Sequence, residues 1–288
     1  MMNDLVAAYL TVHTPRYCTY EAAFAGRLAH PDFRAVRDGL VAQGQHLAAV
    51  QPDVIVVNSC HLISTFPTVI DGTPRHRGVL TAQEAPDLIH GVEYDFPGDF
   101  GLAAALVERG AAAGHLCSLA NDVHYPLDYG TVMPLVCYLD RRQRLPVVPV
   151  SVTLSNDLQE CFAWGRYIAE VVRRQDRRAA FVASGSLSHK LVRGPERWPS
   201  PEDQELDHRF ARLLVDGEYE KAWAWLPEYV ETVQAEMGGR HLAMMLGAII
   251  ESGARFAGTA HAYGPSSGSG NYVISLALSG ADRAPGGG

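Results

Sequence analysis

The chain has 288 residues, 47% of them hydrophobic and 19% charged, which is enough length and apolar content for a globular enzyme with a sizeable core. Its 24 basic and 32 acidic side chains give a net charge of −8, which argues against nucleic acid as a partner, because phosphate binding needs a basic face. No apolar run reaches the ~18 residues of a membrane span, and the N-terminus lacks the basic region and long apolar core of a secretory signal. The expectation is a cytoplasmic protein with neither a nucleic-acid nor a membrane partner.

Leu5–Leu10 is an apolar strand, followed by the loop Thr11-Val12-His13-Thr14-Pro15. Pro31–Val50 carries Ala35, Val36, Leu40, Val41, Leu47 and Val50 near helical spacing and stops at Gln51-Pro52. Val54–Val57, with Asn58 behind it, reads as a buried strand ending in a small polar turn, with His61 just past that turn. Residues 65–98 are rich in Pro, Gly and His and predict a short hairpin plus loop, suited to substrate contacts or a subunit interface. Asp99–Gly114 is an alanine-rich helix with Asp99 as its cap. The polar, aromatic stretch Asn121–Thr131 leads into the apolar run Val132–Tyr138.

Val147–Leu154 is a strand, Leu158–Arg174 an amphipathic helix, and Ala179–Ala183 a third strand feeding a loop that ends at His189. Pro201–Leu214 and Glu218–Tyr229 read as helices broken at Asp216-Gly217, and Arg240–Glu251 as another. A flexible glycine run, Gly264–Gly270, precedes the last strand, Tyr272–Leu278, and residues 281–288 read as a disordered tail. There is no fixed repeat and no linker with a composition shift. The fold expected is α/β: a single domain over residues 1–280, with a central mixed β-sheet surrounded by helices and the active site at the strand C-terminal ends.

Five cysteines without a CxxC pair predict reduced thiols, not a disulfide framework. Cys60, beside His61, reads as a small filler and not a nucleophile. Of twelve histidines, His30, His46, His76, His90, His208 and His241 fall on predicted helices or in the long loop, where solvated or structural roles are the default. His115 lies near a helix end, where it can meet terminal carbonyls. His13, His61 and His189 differ, because each follows an apolar strand in a short loop. Two imidazoles plus a carboxylate would make the facial triad of a non-haem Fe(II) oxygenase; three imidazoles plus water would suit zinc hydrolysis. Spacing leaves both open. Fingerprints for dinucleotides, P-loop phosphates, HExxH zinc sites and GxSxG nucleophiles are absent.

Several motifs occur in one order from residue 5 to residue 278: His13-Thr14-Pro15; Asn58-Ser59-Cys60-His61; Asp128-Tyr129-Gly130-Thr131; Ala183-Ser184-Gly185-Ser186-Leu187-Ser188-His189; Leu226-Pro227-Glu228-Tyr229 followed by Ala235-Glu236; and Pro265-Ser266-Ser267-Gly268-Ser269-Gly270. With them the chain resembles the type III extradiol dioxygenases, the superfamily of the protocatechuate 4,5-dioxygenase catalytic subunit. The likeness is strongest to the homoprotocatechuate and aminophenol branches, where Tyr129 stands in place of a histidine found in many members. The resemblance implies Fe(II), or occasionally Mn(II), held by His13, His61 and Glu236, with Glu251 as the rival carboxylate. It implies His189 as acid–base residue, Tyr129 as a hydrogen-bond partner of substrate, and His124 as a side chain that could partly replace the missing imidazole.

The partners implied are a small aromatic substrate (a catechol or o-aminophenol) and dioxygen, in a homo-oligomer, dimer or tetramer. A carboxylate-bearing ring would want a cation such as Arg16, Arg75 or Arg193. The competing readings are a non-catalytic partner subunit and a zinc metallohydrolase on a similar scaffold. Retention of His13, His61, Glu236 and His189 together argues against the first.

Overall fold

The computed structural model describes residues 4–17, 31–194 and 196–278. The expectations for Cys18, His30 and the tail 281–288 fall outside the described residues.

The elements in chain order are β1 (Leu5–Thr11), α1 (Pro31–Val50), β2 (Val54–Ser64), β3 (Thr68–Asp71), β4 (Arg75–Leu80), β5 (Val92–Pro97), α2 (Phe100–Ala112), β6 (Cys117–Ala120), α3 (Tyr129–Pro134), β7 (Val147–Thr153), α4 (Leu158–Arg174), β8 (Ala179–Ser184), α5 (Pro201–Val215), α6 (Tyr219–Val233), α7 (Arg240–Ser252), β9 (Phe256–Ser266) and β10 (Ser269–Leu278). A π-helical turn, Leu135–Leu139, continues α3, and a 3₁₀ turn, Glu236–Gly239, joins α6 to α7.

Eight strands form one mixed sheet in the order β6-β3-β7-β2-β8-β1-β10-β9. Its middle, β7-β2-β8-β1, is parallel. Such strands are covered on both faces and read as continuous apolar runs; β1, β7 and β8 are buried at every position. One face carries Val6, Tyr9, Ile55, Val57 and Val182 against Val36, Leu40 and Leu47 of α1. The other carries Leu5, Leu10, Val56, Val150 and Phe181 against α2, α4, α5, α6 and α7. Because the middle strands are parallel, the C-terminal ends of β1, β2 and β8 share one edge of the sheet, and the residues that follow them meet there.

The structure corrects two local expectations and adds three strands. His61 is not past the end of its strand, because β2 runs on to Ser64. Its register with β7 shifts between Ser59 and Ile63, and the bulge takes up Cys60-His61-Leu62. Residues 264–270 are not flexible but belong to the β9–β10 hairpin. That hairpin turns at Ser267 and Gly268, both at positive φ (52° and 86°), as a tight two-residue turn requires. β9 itself, and the short strands β3 and β6, were not anticipated. The hairpin expected within 65–98 is present as β4–β5, with the loop 81–91 between its strands. The Asp99 cap is present, accepting from Leu102 N at 3.0 Å.

α4 and α7 approach until backbone meets backbone. A Cβ on Gly165 would overlap the Met244 carbonyl oxygen, and one on Gly247 would overlap that of Phe162. Gly165→Ala is expected to cost about 1–3 kcal/mol, the range for overpacking a filled interior. The urea midpoint measures it, and an unchanged midpoint would mean that the two helices separate freely.

Candidate metal centre

His13 leaves the end of β1 and is 4% exposed. Its Nδ1 lies 3.1 Å from Ser184 Oγ, at the end of β8. The Ser184 hydroxyl donates its own proton to the Gly130 carbonyl at 2.6 Å, so it accepts from His13. This fixes the tautomer: Nδ1 carries the hydrogen and the Nε2 lone pair points inward. Nε2 faces Glu236 Oε1 at 3.3 Å.

His61 reaches the same oxygen, with Nε2 3.6 Å from Glu236 Oε1. The bulge that carries it is pinned from below. Ser59 Oγ accepts from the His61 amide at 3.1 Å and donates to Asp128 Oδ1 at 2.5 Å. Asp128 also caps α3 through the amide and hydroxyl of Thr131. That cap sets the first residue of α3, Tyr129, whose hydroxyl lies 2.6 Å from His61 Nε2 and whose ring centroid lies 4.0 Å from the imidazole. Burial, with Glu236 adding to it, raises the Tyr129 pKa far above the ordinary phenol value, so Tyr129 stays a proton donor.

Glu236 opens the 3₁₀ turn between α6 and α7. Met237, Gly238 and Gly239 follow it with φ of 49°, 62° and 71°. This run of left-handed backbone explains the two glycines. The turn is tied to the loop after β8: Glu236 Oε2 accepts from Ser186 N at 2.5 Å, and Glu236 N donates to Leu187 O at 3.2 Å. Burial pushes the carboxyl up, but the His13 imidazole, with His61 and His189 beside it, outweighs burial and holds Glu236 well below the usual carboxylate range.

One ligand atom from each of His13, His61 and Glu236 thus lies within 4.8 Å of the other two, and both Nε2 atoms face Glu236 Oε1. The His13 tautomer directs its Nε2 lone pair at an anionic oxygen that His61 Nε2 also faces. Such acceptors repel unless a cation sits among them, so the donor set fits a metal ion. A proton on His13 is the competing cation: burial pushes the His13 pKa down, but the Glu236 carboxylate overrides it and raises it. Ser184→Ala would free the His13 ring and is expected to weaken metal binding about 10–100-fold, the usual effect of losing a ligand's supporting hydrogen bond. Competition with a chromophoric chelator measures this, and unchanged affinity would show that the Ser184 bond does not orient His13.

His189 is half-buried beside this group. Burial lowers its pKa, Glu236 pulls it back up, and His13 and His61 push it down further, so its imidazole feels all three. Its Nδ1 has no protein partner.

Other candidates lie elsewhere. His124 sits in the exposed stretch 121–126, its amide bonded to Asp122 Oδ1 at 2.8 Å, and is not among the gathered side chains. Glu251 pairs with Arg166 at 2.8 Å at the far end of α7. Arg75 is exposed and doubly bonded to Asp95, and Arg193 lies on an exposed loop. His46, His90, His115 and His208 bond the hydroxyls of Tyr9, Thr81, Tyr167 and Tyr272. Cys60 turns its thiol to His241 Nδ1 at 3.3 Å, and burial raises its pKa well above the usual thiol value.

Sequence reasoning missed the supporting partners. Ser184, Ser186 and Asp128 stood inside quoted motifs without a role; the small polar run after β8 and the Asp-x-x-Thr cap were their signals. Glu84, on the 81–91 loop, lies 3.8 Å from His61 Nδ1 and had no signal at all. His241, fully buried at the start of α7 and lowered to about 4 by burial, was set aside as structural; its Nε2 is without a protein partner.

The sequence matches, over residues 7–274, the family described as the catalytic LigB subunit of aromatic ring-opening dioxygenase. It is 24% identical to the 3,4-dihydroxyphenylacetate 2,3-dioxygenase of Escherichia coli, over 85% of this chain and 90% of that one. Both subunits of a Pseudomonas 2-aminophenol 1,6-dioxygenase match: β at 26% identity over 78% of each chain, and α at 25% over 86% of this chain and 93% of that one. Among solved structures, the uncharacterized protein JW3007 from Escherichia coli K12 shares the fold, with a TM-score of 0.60 at 18% identity over 94% of this chain and 99% of that one.

Proposed function

The chain belongs to the LigB family of aromatic ring-opening dioxygenases, and from that premise we propose that it is an Fe(II)-dependent extradiol enzyme acting on a catechol or an o-aminophenol. It would insert both atoms of dioxygen beside the paired heteroatoms and release a semialdehyde. The observation that carries this reading is the convergence of His13 Nε2, His61 Nε2 and Glu236 Oε1, with a protonated Tyr129 and a low-pKa His189 at its side.

Two neutral imidazoles and one carboxylate cancel one of the two charges of a divalent ion and leave other positions for two reactants. Bound there, Fe(II), or Mn(II) in its place, supplies a common centre for the chelating substrate and dioxygen and a path for electrons from the ring to dioxygen. The protein does the rest. His13, His61 and Glu236 are held by Ser184, the pinned bulge and Ser186, so orientation is set before substrate arrives. His189, neutral near pH 7, takes a proton from the substrate hydroxyl at an imidazole nitrogen and returns it when the O–O bond breaks. The Tyr129 hydroxyl, directed at His61 Nε2, passes to a substrate heteroatom when that nitrogen engages the metal.

Residues 1–280 would form the catalytic unit of a cytoplasmic homo-oligomer. No helix among the described residues is long and apolar enough to cross a membrane. The gathered ligand set favours a catalytic chain over a silent partner subunit.

The test is anaerobic reconstitution with Fe(II), then dioxygen uptake across a panel of catechols and o-aminophenols. Uptake with a new visible absorbance supports the proposal, and the best substrate assigns the branch. Tight zinc with no uptake would favour the hydrolase reading, and failure to bind iron would overturn the dioxygenase.

A further inference from the structure

Asp207 lies in the middle of α5 with no exposed surface, outside the candidate metal centre. Four donors converge on it. Oδ1 accepts from Ser188 N at 3.2 Å and from the Tyr229 hydroxyl at 2.7 Å. Oδ2 accepts from the Ser188 hydroxyl at 2.7 Å and from the Tyr263 hydroxyl at 2.6 Å. Burial raises its pKa against the pull of those donors. A buried carboxylate is a costly way to hold a fold, since well-packed apolar residues serve as well. What it supplies is direction, because both of its oxygens are committed and each fixes a donor.

Two of the four donors belong to Ser188, the residue before His189. From the opposite side the same segment is stitched onto the β9–β10 hairpin. Leu187 N donates to Gly270 O and Gly270 N to Ser188 O, both at 2.9 Å, and His189 forms a backbone bridge with Ser269. Beyond it, Val192 N donates to Ser267 O at 2.7 Å and Gly268 N to Arg197 O at 2.8 Å. Gly270 leaves no room: a Cβ there would overlap Asp207 Oδ2 and sit 2.7 Å from Ser188 Oγ. Ser188 is therefore held at its amide, carbonyl and hydroxyl at once. His189 follows it, its own amide donating to Val233 O at 3.3 Å.

We propose that Asp207 is a positioning residue for His189. Its carboxylate, reaching from α5 through Ser188, with Tyr229 and Tyr263 as side struts, sets where the His189 imidazole stands relative to the metal centre. The proposal rests on the assignment of His189 as the acid–base group, and it adds the device that aims it. A displacement of about 1 Å at a reacting group costs up to about 10²-fold in rate, so a residue two bonds of contact away has leverage.

The test compares Asp207→Asn and Tyr263→Phe with the wild-type full-length chain, each also combined with His189→Ala. Tyr263→Phe removes one donor of four and keeps the experiment open if Asp207→Asn does not fold. One readout needs no turnover: the ring resonances of ¹⁵N-histidine-labelled protein loaded with Zn(II), with the His189 signal identified by its loss in His189→Ala. The expected result is a shifted or broadened His189 signal, unchanged Fe(II) stoichiometry, and a roughly 10- to 100-fold fall in dioxygen uptake that vanishes in the His189→Ala background. An unmoved His189 signal, or the same fold-loss in both backgrounds, would overturn the proposal. If the wild-type chain turns over no substrate, the dioxygenase reading fails separately, and the His189 signal alone decides the role of Asp207.

Discussion

Glu236→Gln is expected to leave a folded chain that binds iron more than about 100-fold more weakly and has no measurable turnover. The scale follows from the supporting partners of metal ligands, whose loss alone costs about 10–100-fold; loss of the anionic ligand itself is larger. The change keeps the side-chain shape, so the effect is chemical. Ser186 N donates to Oε2, so the amide must turn its oxygen toward Ser186 and its NH2 toward His13 and His61. Two lone pairs that had shared a cation with a carboxylate would then meet a donor. A pH signature accompanies this. Metal binding needs His13 deprotonated, and Glu236 raises the His13 pKa above its ordinary value near 6.5. Iron affinity in the wild type should therefore rise with pH through and above that value. Glu236→Gln should remove the raised step, because the charge that causes it is gone. Glu251→Gln is the control. If Glu251→Gln lost iron while Glu236→Gln kept it, the ligand assignment would be wrong.

The scaffold of this site was legible because burial on both faces of a parallel strand leaves a simple signature. β1, β2 and β8 appear as unbroken apolar runs, and the histidines after β1 and β8 stand where such a sheet opens its crevice. The bulge at Cys60-His61-Leu62 was not legible. Inserted residues change pairing but not composition, and the Asp128 that pins the bulge through Ser59 is 69 positions away in sequence. β9 was missed because its Gly and Ala residues carry little strand preference; β10 and α1 hold it in place. The glycine run was read as flexible from composition, yet Ser267-Gly268 is a two-residue hairpin signal. Glu236 had no local signal. It becomes a candidate ligand through three left-handed residues that swing a helix end beneath the β8 loop, and only the ordered series of motifs pointed to it.

His189→Ala is expected to keep its iron and lose about 10²–10⁴-fold in turnover, the range for removing a general acid–base group. Retention follows from position, since His189 is not one of the three converging donors. Loss follows from the two opposite demands on one side chain: it must be neutral when substrate arrives and must deliver a proton when the O–O bond breaks. Burial supplies the first by lowering the pKa below the ordinary 6.5; Glu236 opposes it, and His13 and His61 reinforce it. A bound dication would push in the same direction. The acid limb of wild-type turnover should accordingly rise through a value below 6.5 and be flat at neutrality. The residual activity of His189→Ala should lack that limb. His189→Asn separates proton transfer from simple hydrogen bonding, because an amide fills the space and bonds substrate but does not titrate; it should be as slow as His189→Ala. Turnover near wild type in His189→Asn would reduce His189 to a hydrogen-bonding residue. Unchanged turnover in His189→Ala would pass the proton chemistry to Tyr129, whose far-raised pKa makes it a donor but a poor base at any pH where the iron stays bound.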